Sequence, residues 1–332
     1  MVKEISIIIL LIFLIISAFP FNAIKVGNEP ICILCNSGYI YVLNYNSSTI
    51  SVINPSNNVV ISTINVSFKP ISMVSAGDKI YVASSGCNKI DVIENGKLLK
   101  TINLTSTPYY VAYDCKTKEL IVTEPVLESI IILKNCNIIG NISLNCPPSV
   151  IAFDPINCLL YVGSVFNGTI YVYNMSGNLI TSYYIGGRVV NIKYCHGEIF
   201  VTSWGNNELT IINSSSSNLF HYYAGLKPYD AIYDPSDGYI YVTDFGTGSI
   251  LVLCPNGNVV QNITIGGKPS NLIYRDGYIY VVDPSFNEVI VIPQVPRPSP
   301  PYCLYYLIAG GVVALVIIGY FVIKREMSSN NK

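Results

Sequence analysis

The sequence carries little charge, and the charge it has is balanced. Of its 332 residues, 12% are Asp, Glu, Lys or Arg, and the formal net charge is −1. Soluble domains average about 25% charged residues, and nucleic-acid-binding domains concentrate basic residues on one face. A chain with neither property is not expected to bind nucleic acid.

Motifs that accompany catalysis, metal binding or nucleotide binding are missing as well. The sequence contains no H-E-x-x-H, G-x-S-x-G or G-x-x-x-x-G-K-[ST] stretch, which mark zinc peptidases, serine hydrolases and phosphate-binding loops. Histidine occurs only at His196 and His221. The single C-x₂-C pair, Cys32 and Cys35, has no second pair to complete a zinc site. The sequence therefore predicts no catalytic residues, no metal site and no cofactor.

Apolar residues are abundant, and part of the excess lies at the N-terminal end. Residues 5–19 form an apolar run behind Lys3, which is typical of a secretory signal peptide. We interpret 1–22 as that signal peptide, with an uncleaved signal anchor as the alternative.

A second apolar run lies near the C-terminal end, at 304–323. Its twenty residues carry no charge, and such a helix is long enough to cross the ~30 Å hydrocarbon core of a bilayer. Two basic residues follow, so the positive-inside rule predicts that 324–332 is a cytoplasmic tail. Five prolines in 293–303 indicate a stiff stalk. These features predict a cell-membrane protein whose central region, 23–292, is extracellular.

The central region repeats an apolar phrase that ends in valine. The phrase closes at Val42, Val82, Val122, Val162, Val201, Val242 and Val281. The spacing of 39 to 41 residues, with runs of Val, Ile, Tyr and Thr cut by Gly, Asn and Pro, is typical of four-stranded β-propeller blades. In one unit we expect strand A at 229–233, strand B at 239–242, strand C at 250–253 and strand D at 259–265.

Seven phrases predict seven blades, and the last blade lacks its outer strand. The stalk begins after strand C at 289–292, while residues 23–26 resemble a strand D with no blade of their own. We expect 23–26 to pair with 289–292, because this pairing closes the ring and removes an open sheet edge. The predicted fold is an all-β, seven-bladed β-propeller closed by its N-terminal strand and followed by a transmembrane helix.

The repeat resembles the YVTN-type β-propeller family, which is common among archaeal surface proteins. The resemblance is carried by YVLN at 41–44, YVTD at 241–244 and YVVD at 280–283, and by G-x-x-P stretches such as Gly225–Pro228. The third unit, with LIVTEPVLESI, departs from the pattern because it lacks the aromatic residue. The resemblance implies fold better than function, since such propellers serve in adhesion, in binding and in surface layers. The family has no shared set of catalytic residues.

Together these features predict a membrane-anchored extracellular propeller that binds a glycan or protein partner without catalysis. One alternative is a structural component of the cell envelope or surface layer. The other is a propeller lactonase or lyase. A lactonase would usually need clustered acids or histidines at the channel mouth, and fold alone does not decide between these functions.

A candidate binding site follows from two repeat positions at the top of the propeller, the end where strand D leads into A and strand B into C. One position precedes the proline that opens strand A, and the other is the third residue after the strand-B valine. The basic and aromatic residues at these positions are Lys69, Arg188, Lys227, Lys268, Tyr45, Trp204 and Phe245. Aromatic faces beside cations suit an acidic sugar or a carboxylate-bearing partner. The alternative is that they are solvated turn residues and aromatics covering loop backbone.

Export adds two kinds of covalent modification. The ten cysteines are disulfide candidates in an extracellular chain. Cys115 and Cys158 occupy the same turn of adjacent blades, Cys158 with Cys195 is the alternative pair, and free thiols are the alternative to both. Eight N-x-[S/T] sequons mark candidate glycosylation sites, at Asn46, Asn65, Asn103, Asn141, Asn167, Asn174, Asn213 and Asn262.

Overall fold

The computed structural model describes residues 21–164 and 166–296, and these form a ring of seven β-sheets. Each sheet has four antiparallel strands, hydrogen-bonded in the order A, B, C, D. The structure therefore confirms the all-β, seven-bladed propeller with four-stranded blades.

The strands are numbered β1 to β28 along the chain, and β1 is Asn22–Lys25. Blades 1 and 2 contain β2 (Pro30–Asn36), β3 (Tyr39–Asn44), β4 (Thr49–Asn54), β5 (Val59–Asn65), β6 (Pro70–Ala76), β7 (Lys79–Ser84), β8 (Lys89–Glu94) and β9 (Lys97–Asn103). Blades 3 and 4 contain β10 (Val111–Asp114), β11 (Glu119–Glu124), β12 (Ser129–Lys134), β13 (Asn137–Ser143), β14 (Val150–Asp154), β15 (Leu159–Gly163), β16 (Thr169–Asn174) and β17 (Leu179–Tyr184). Blades 5 and 6 contain β18 (Val189–Cys195), β19 (Glu198–Ser203), β20 (Glu208–Asn213), β21 (Leu219–Tyr223), β22 (Pro228–Asp234), β23 (Tyr239–Asp244), β24 (Ser249–Leu253) and β25 (Val259–Thr264). Blade 7 contains β26 (Leu272–Arg275), β27 (Tyr278–Asp283) and β28 (Glu288–Pro293), with β1 as its strand D.

Strands B and C are apolar without alternation because both of their faces are covered. All six residues of β23 and all five of β24 are buried. Neighbouring blades pack face to face, so that Leu209 of blade 5 lies in one apolar cluster with Ile240 and Val242 of blade 6. Strand D has an open face, and β25 is almost wholly exposed. Continuous apolar strands are expected wherever a sheet is covered on both sides.

The seven A strands line a central channel. Each strand A contacts strand A of the next blade, and β2 contacts β26, which completes the ring. Three A strands end in Asp114, Asp154 and Asp234, and each carboxylate accepts the backbone N–H two residues further on, at 2.8 Å. This is the geometry of an Asx turn. The recurring aspartates therefore shape the bottom turns of their own blades.

The N-terminal strand closes the ring as the sequence predicts. β1 pairs antiparallel with β28, and Lys25 lies opposite Glu288 with Nζ 2.6 Å from Oε2. Ile24 points inwards and is 5% exposed. Pairing starts at Asn22 and β28 ends at Pro293, so the propeller extends one residue beyond each predicted boundary.

Several predicted segments lie outside the described residues: most of the signal peptide 1–22, most of the stalk 293–303, the transmembrane segment 304–323 and the tail 324–332. Within 21–164 and 166–296 no helix is long and apolar enough to span a bilayer. The one helical segment there is the 3₁₀ turn Pro125–Leu127. The predicted segment 304–323 lies outside these ranges, so the transmembrane helix, membrane anchorage and extracellular location stay predictions.

The structure does not support the predicted disulfides either. All nine cysteines among the described residues are free thiols, including Cys115, Cys158 and Cys195. The Sγ of Cys195 instead lies 3.4 Å from Nδ1 of His196, its neighbour in the chain.

Alkylation of the native protein at pH 8 should distinguish these thiols by the rates at which they react. Cys115 and Cys158 are exposed and should react first. Burial raises the pKa of Cys32 to about 11, so its reactive thiolate is scarce at pH 8 and labelling should be roughly a hundredfold slower. Peptide mass spectrometry after iodoacetamide treatment measures the order in which the cysteines are labelled. If Cys115 and Cys158 react only after reduction, they are joined in a disulfide and the structure is wrong there.

The glycosylation candidates lie at the surface. Six are exposed, and Asn174 and Asn213 are half-buried. The Oδ1 atoms of these two accept backbone N–H groups within their own turns. Modification of the eight sites stays a prediction.

Candidate functional site

In blades 6 and 7 the top-face loop that enters strand A is held by the aspartate that ends strand B. In blade 6, Asp244 Oδ2 accepts the backbone N–H of Leu226 at 2.9 Å. Gly225 has a φ of +90°, and a Cβ at this position would collide with the same carboxylate. Asp283 anchors the loop of blade 7 in the same manner. The G-x-x-P stretch therefore needs its glycine, and the loop that presents Lys227 is fixed at its base.

Three aromatic rings pack together on this face, and we call them the aromatic cluster. Trp204 and Phe245 come from the B–C loops of blades 5 and 6, and Tyr229 follows Pro228 at the start of β22. The ring centroids of Trp204 and Phe245 are 5.5 Å apart, and Tyr229 lies 6.0 Å from Phe245 and 6.3 Å from Trp204. These separations are typical of interacting aromatic pairs. The three half-buried rings form a platform at the top of the channel.

Three basic side chains from consecutive blades lie over this platform, and we call them the cationic arc. Arg188 Cζ is 5.3 Å and Lys227 Nζ 5.8 Å from the centroid of the Trp204 ring. Lys268 Nζ is 5.6 Å from the centroid of Phe245. At such distances a cation is attracted by the ring, by about 0.5–1 kcal/mol at exposed sites. The contacts hold the three charges next to the aromatic cluster.

The positive charges of the cationic arc are not paired with acidic side chains of the described residues. None of its three groups forms an ion pair with the part of the chain that the structure describes. The indole N–H of Trp204 is buried and has no hydrogen-bond partner among the same residues. A buried donor without an acceptor costs about 1–3 kcal/mol. Burial also raises the pKa of Tyr229, which keeps its hydroxyl protonated.

A depression of about 670 Å³ opens beside the aromatic cluster. Lys268 lines it together with the cluster, and so do Glu29 and Asn46 from blade 1. Tyr229 and Ile31 also line a narrower cavity of about 120 Å³ in the channel. Ligand pockets commonly measure about 300–1,000 Å³, so the depression can hold one or two sugar rings or a few amino-acid side chains.

A buried polar network links the three blades that carry the arc. Asp230 of blade 6 is 1% exposed. It accepts hydrogen bonds from Asn191 Nδ2 at 2.8 Å, Lys193 Nζ at 2.6 Å and the backbone N–H of Leu272 at 3.2 Å. These partners belong to blades 5 and 7. Tyr110 of blade 3 extends the network by donating to Asn191 Oδ1 at 3.0 Å.

The structure brings five of the seven predicted site residues together and places the other two apart. Lys69 Nζ lies 5.7 Å from the ring of Tyr45 and 5.6 Å from that of Phe68, in a second group on blades 1 and 2. Tyr229 and Asp230 were not predicted. The available signal was their position directly after Pro228, since the residues that open strand A face the channel.

Both histidines lie away from the top face. His196 is in the bottom turn after β18, and His221 lies on the outer strand β21 with Nδ1 3.0 Å from Thr210 Oγ1. Within 21–164 and 166–296, no group of three or more His, Cys, Asp or Glu residues is placed to hold a metal ion. The top-face site is built from cations, aromatic rings and polar groups, among which Glu29 at the wall of the depression is acidic.

Solved structures of the same fold are distant in sequence. A hydrazine synthase of Kuenenia stuttgartiensis has a TM-score of 0.72 and 15% identity, over 84% of this chain and 99% of that one. A catalytically inactive histidine-to-alanine variant of virginiamycin B lyase from Staphylococcus aureus, with quinupristin, has a TM-score of 0.72 and 17% identity, over 84% and 100%. A streptogramin B lyase has a TM-score of 0.72 and 16% identity, over 82% and 97%. At these identities the likeness shows the fold alone.

No protein-family model and no curated protein sequence matches the chain. The structural neighbours support a seven-bladed propeller. Membership of the YVTN-type family stays a prediction.

Proposed function

We propose that this protein is a membrane-anchored, extracellular β-propeller whose top face binds a carboxylate-bearing glycan or protein partner without catalysis. The observation that carries the proposal is the cationic arc, which lies on the aromatic cluster and has no acidic partner among the described residues. The predicted signal peptide, 1–22, and transmembrane segment, 304–323, would export and anchor the propeller.

The arc and the cluster together favour one class of ligand. A sugar ring has an apolar face that packs on aromatic rings, and a carboxylate at its edge forms charge-assisted hydrogen bonds with Arg and Lys. Arg188 can bind a carboxylate through two parallel N–H···O bonds. Because ring contacts already restrict the three cations, binding loses less side-chain freedom than it would for fully mobile side chains.

The lyases among the structural neighbours prompt an enzymatic alternative, which the top face favours less. One of them is inactive as a histidine-to-alanine variant, whereas His196 and His221 lie at the bottom and on the outer wall. A lactonase would need clustered acids or histidines at the channel mouth, where this chain presents three cations and the single acid Glu29. Binding is therefore the function that the geometry supports best.

Replacing Arg188, Lys227 and Lys268 together by Ser in the full-length chain tests the proposal. The probes are an oligogalacturonate and the uncharged oligogalactose of the same length, measured by isothermal titration calorimetry. The wild-type protein should prefer the charged probe. The affinity of the variant for the charged probe should be at least roughly a hundredfold lower, because hydrogen bonds to charged groups contribute about 1.5–3 kcal/mol each.

A matched variant removes the same charge elsewhere. Lys97, Lys100 and Lys118 are exposed and form no ion pair within the described residues, and their joint replacement by Ser should leave probe binding unchanged. Equal binding of both probes by the wild-type protein, or full binding by the arc variant, would contradict the proposal. Cleavage of either probe would establish an enzyme instead.

A further inference from the structure

The outer wall of the propeller carries exposed apolar side chains at one height. They lie at the start of strand D, next to the bottom turns, in each of blades 1 to 6. We call them the apolar belt: Val59, Ile61, Leu98, Leu99, Ile138, Ile139, Leu179, Ile180, Phe220, Val259 and Val260. Each is between 41% and 55% exposed. Monomeric soluble proteins rarely leave large apolar surfaces open without a use.

The belt is built by a repeated irregularity of the backbone. In blade 1, Ile53 pairs with Val60 and Val52 with Ser62, so Ile61 is an extra residue in strand D. Blades 2, 3, 4 and 6 have the same β-bulge. The extra residues are Ile61, Leu99, Ile139, Ile180 and Val260. A bulge redirects a side chain, and in all five blades the extra residue is apolar and exposed.

The same wall has almost no charge. Strands β5, β13, β17 and β25 contain no Asp, Glu, Lys or Arg. In strand D of blades 1 to 6 the charged residues are Lys97 and Lys100, both in β9. Two identical surfaces repel each other when they carry net charge of one sign, and here four blades have nothing to repel an identical partner.

The length and position of the belt limit which partners can cover it. Six stacked blades about 10 Å apart extend over at least about 50 Å. The predicted transmembrane segment, 304–323, would be only about 30 Å long as a helix, so it cannot cover the belt. A bilayer below the propeller would meet the bottom turns, which carry charged residues such as Lys116 and Asp276. The partner must approach from the side.

The place where the two ends of the chain leave the propeller favours copies of the same protein as the partner. Blade 7, which holds Asn22 and Pro293 at the ends of the propeller, is the one blade without a belt residue among those described. Both connections therefore leave from the blade that contributes no described residue to the belt. If every copy is anchored by the same stalk, the belts of neighbouring molecules lie at the same height above the membrane.

We propose that the apolar belt is a lateral docking surface for further copies of this chain, which pack side by side through their outer strands. Each contact involves few side chains and is weak by itself. Several belt-bearing blades around one ring allow several such contacts, and confinement at a membrane raises the effective concentration. The belt is separate from the top-face site, so either proposal can fail without the other.

Site-specific photo-crosslinking of the full chain in membranes of expressing cells tests the occupant. A benzophenone amino acid replaces Ile180 in one variant and Val126, a 76% exposed residue of a top loop, in the control. Irradiation should give a product of twice the mass of the uncrosslinked chain from position 180 and not from position 126. A crosslink to another protein, to lipid or to the chain's own terminal segments would overturn the proposal, as would the absence of any crosslink at position 180.

A second set of variants measures the strength of the contact. Ile61, Ile139, Ile180 and Val260 are replaced by Ser, and the control replaces Val126, Leu127, Ile156 and Phe286, four apolar residues exposed outside the belt. Sedimentation of the full chain in mild detergent should show concentration-dependent association that the belt variant weakens at least about tenfold and the control retains. Equal association of the two variants, or a monomeric wild-type protein at all concentrations, would rule the belt out as the contact.

Discussion

Deletion of residues 22–26 is expected to lower the free energy of unfolding by on the order of 5 kcal/mol. The deletion removes the four-residue ladder between β1 and β28 and exposes an unpaired sheet edge. It also removes Ile24, which packs against Val282 and Val289 and whose burial contributes about 2–3 kcal/mol. For a domain of this size we expect the melting temperature to fall by about 10 °C or more, as measured by circular dichroism.

The control for this deletion is Lys25→Ser. It removes the ion pair with Glu288 and the hydrogen bond that Lys25 Nζ donates to the carbonyl of Phe286 at 3.2 Å. The Lys25 side chain is 71% exposed, and such surface pairs contribute about 0–1 kcal/mol. A deletion variant that melts as cooperatively and at the same temperature as the control would show that β1 does not hold the ring closed.

The second large effect is expected at the centre of the polar network. Asp230→Ala removes a buried carboxylate and leaves the ammonium group of Lys193 without its partner. Breaking a buried ion pair on one side costs about 3–5 kcal/mol, and we expect the lower end of this range because the Lys193 side chain is 33% exposed and its ammonium group can be hydrated. Since the partners of Asp230 come from blades 5 and 7, the loss should also loosen the blades that carry the arc. Chemical denaturation measures the first effect, and titration with oligogalacturonate the second.

A double replacement separates the effect of the unpaired charge on stability from the effect of the lost packing. In Asp230→Leu with Lys193→Met, neither charge is left unpaired, so part of the lost stability should return. The loss in free energy of unfolding is compared with the sum of the losses in the two single variants. If the double variant loses more than this sum, the two residues do not stabilise the fold as a pair.

The ring and its closure were predictable because both depend on local pattern. The phrase ending at Val42, Val82 and its repeats fixes the period, and the similarity of 23–26 to a strand D identifies the closing strand without any knowledge of contacts. The meeting of Arg188 and Trp204 was likewise predictable, since equivalent positions of neighbouring blades occupy neighbouring places in the ring. These inferences need only the blade plan.

Features that depend on distances between blades were not predictable. Cys115 and Cys158 share a turn position, but the blade plan does not give the separation of their Sγ atoms. Asp230 occupies the repeat position of Asn191 and Asn271 in the two neighbouring blades, so its place near the channel was predictable. The sequence does not show that its carboxylate accepts hydrogen bonds from both of these blades.

The bulges at residues such as Ile61 and Leu99 were also not predictable. A bulge shifts the pairing of two strands by one residue, and the sequence of one strand alone does not record that shift. The exposed apolar pairs therefore appear in the sequence as an ordinary strand.

The pairing of the first strand with the last also sets the order in which the protein folds. Lys25 and Glu288 are 263 residues apart, so blade 7 cannot be completed until almost the whole propeller has been synthesised. At about 5–20 residues per second, β1 waits roughly 13–50 s for its partner. During that time, blades 1 to 6 can form from sequence-local hairpins while the ring stays open. If the chain crosses the membrane as it is made, closure is a late step that takes place after export, beside the point where the N-terminal segment is predicted to be cleaved.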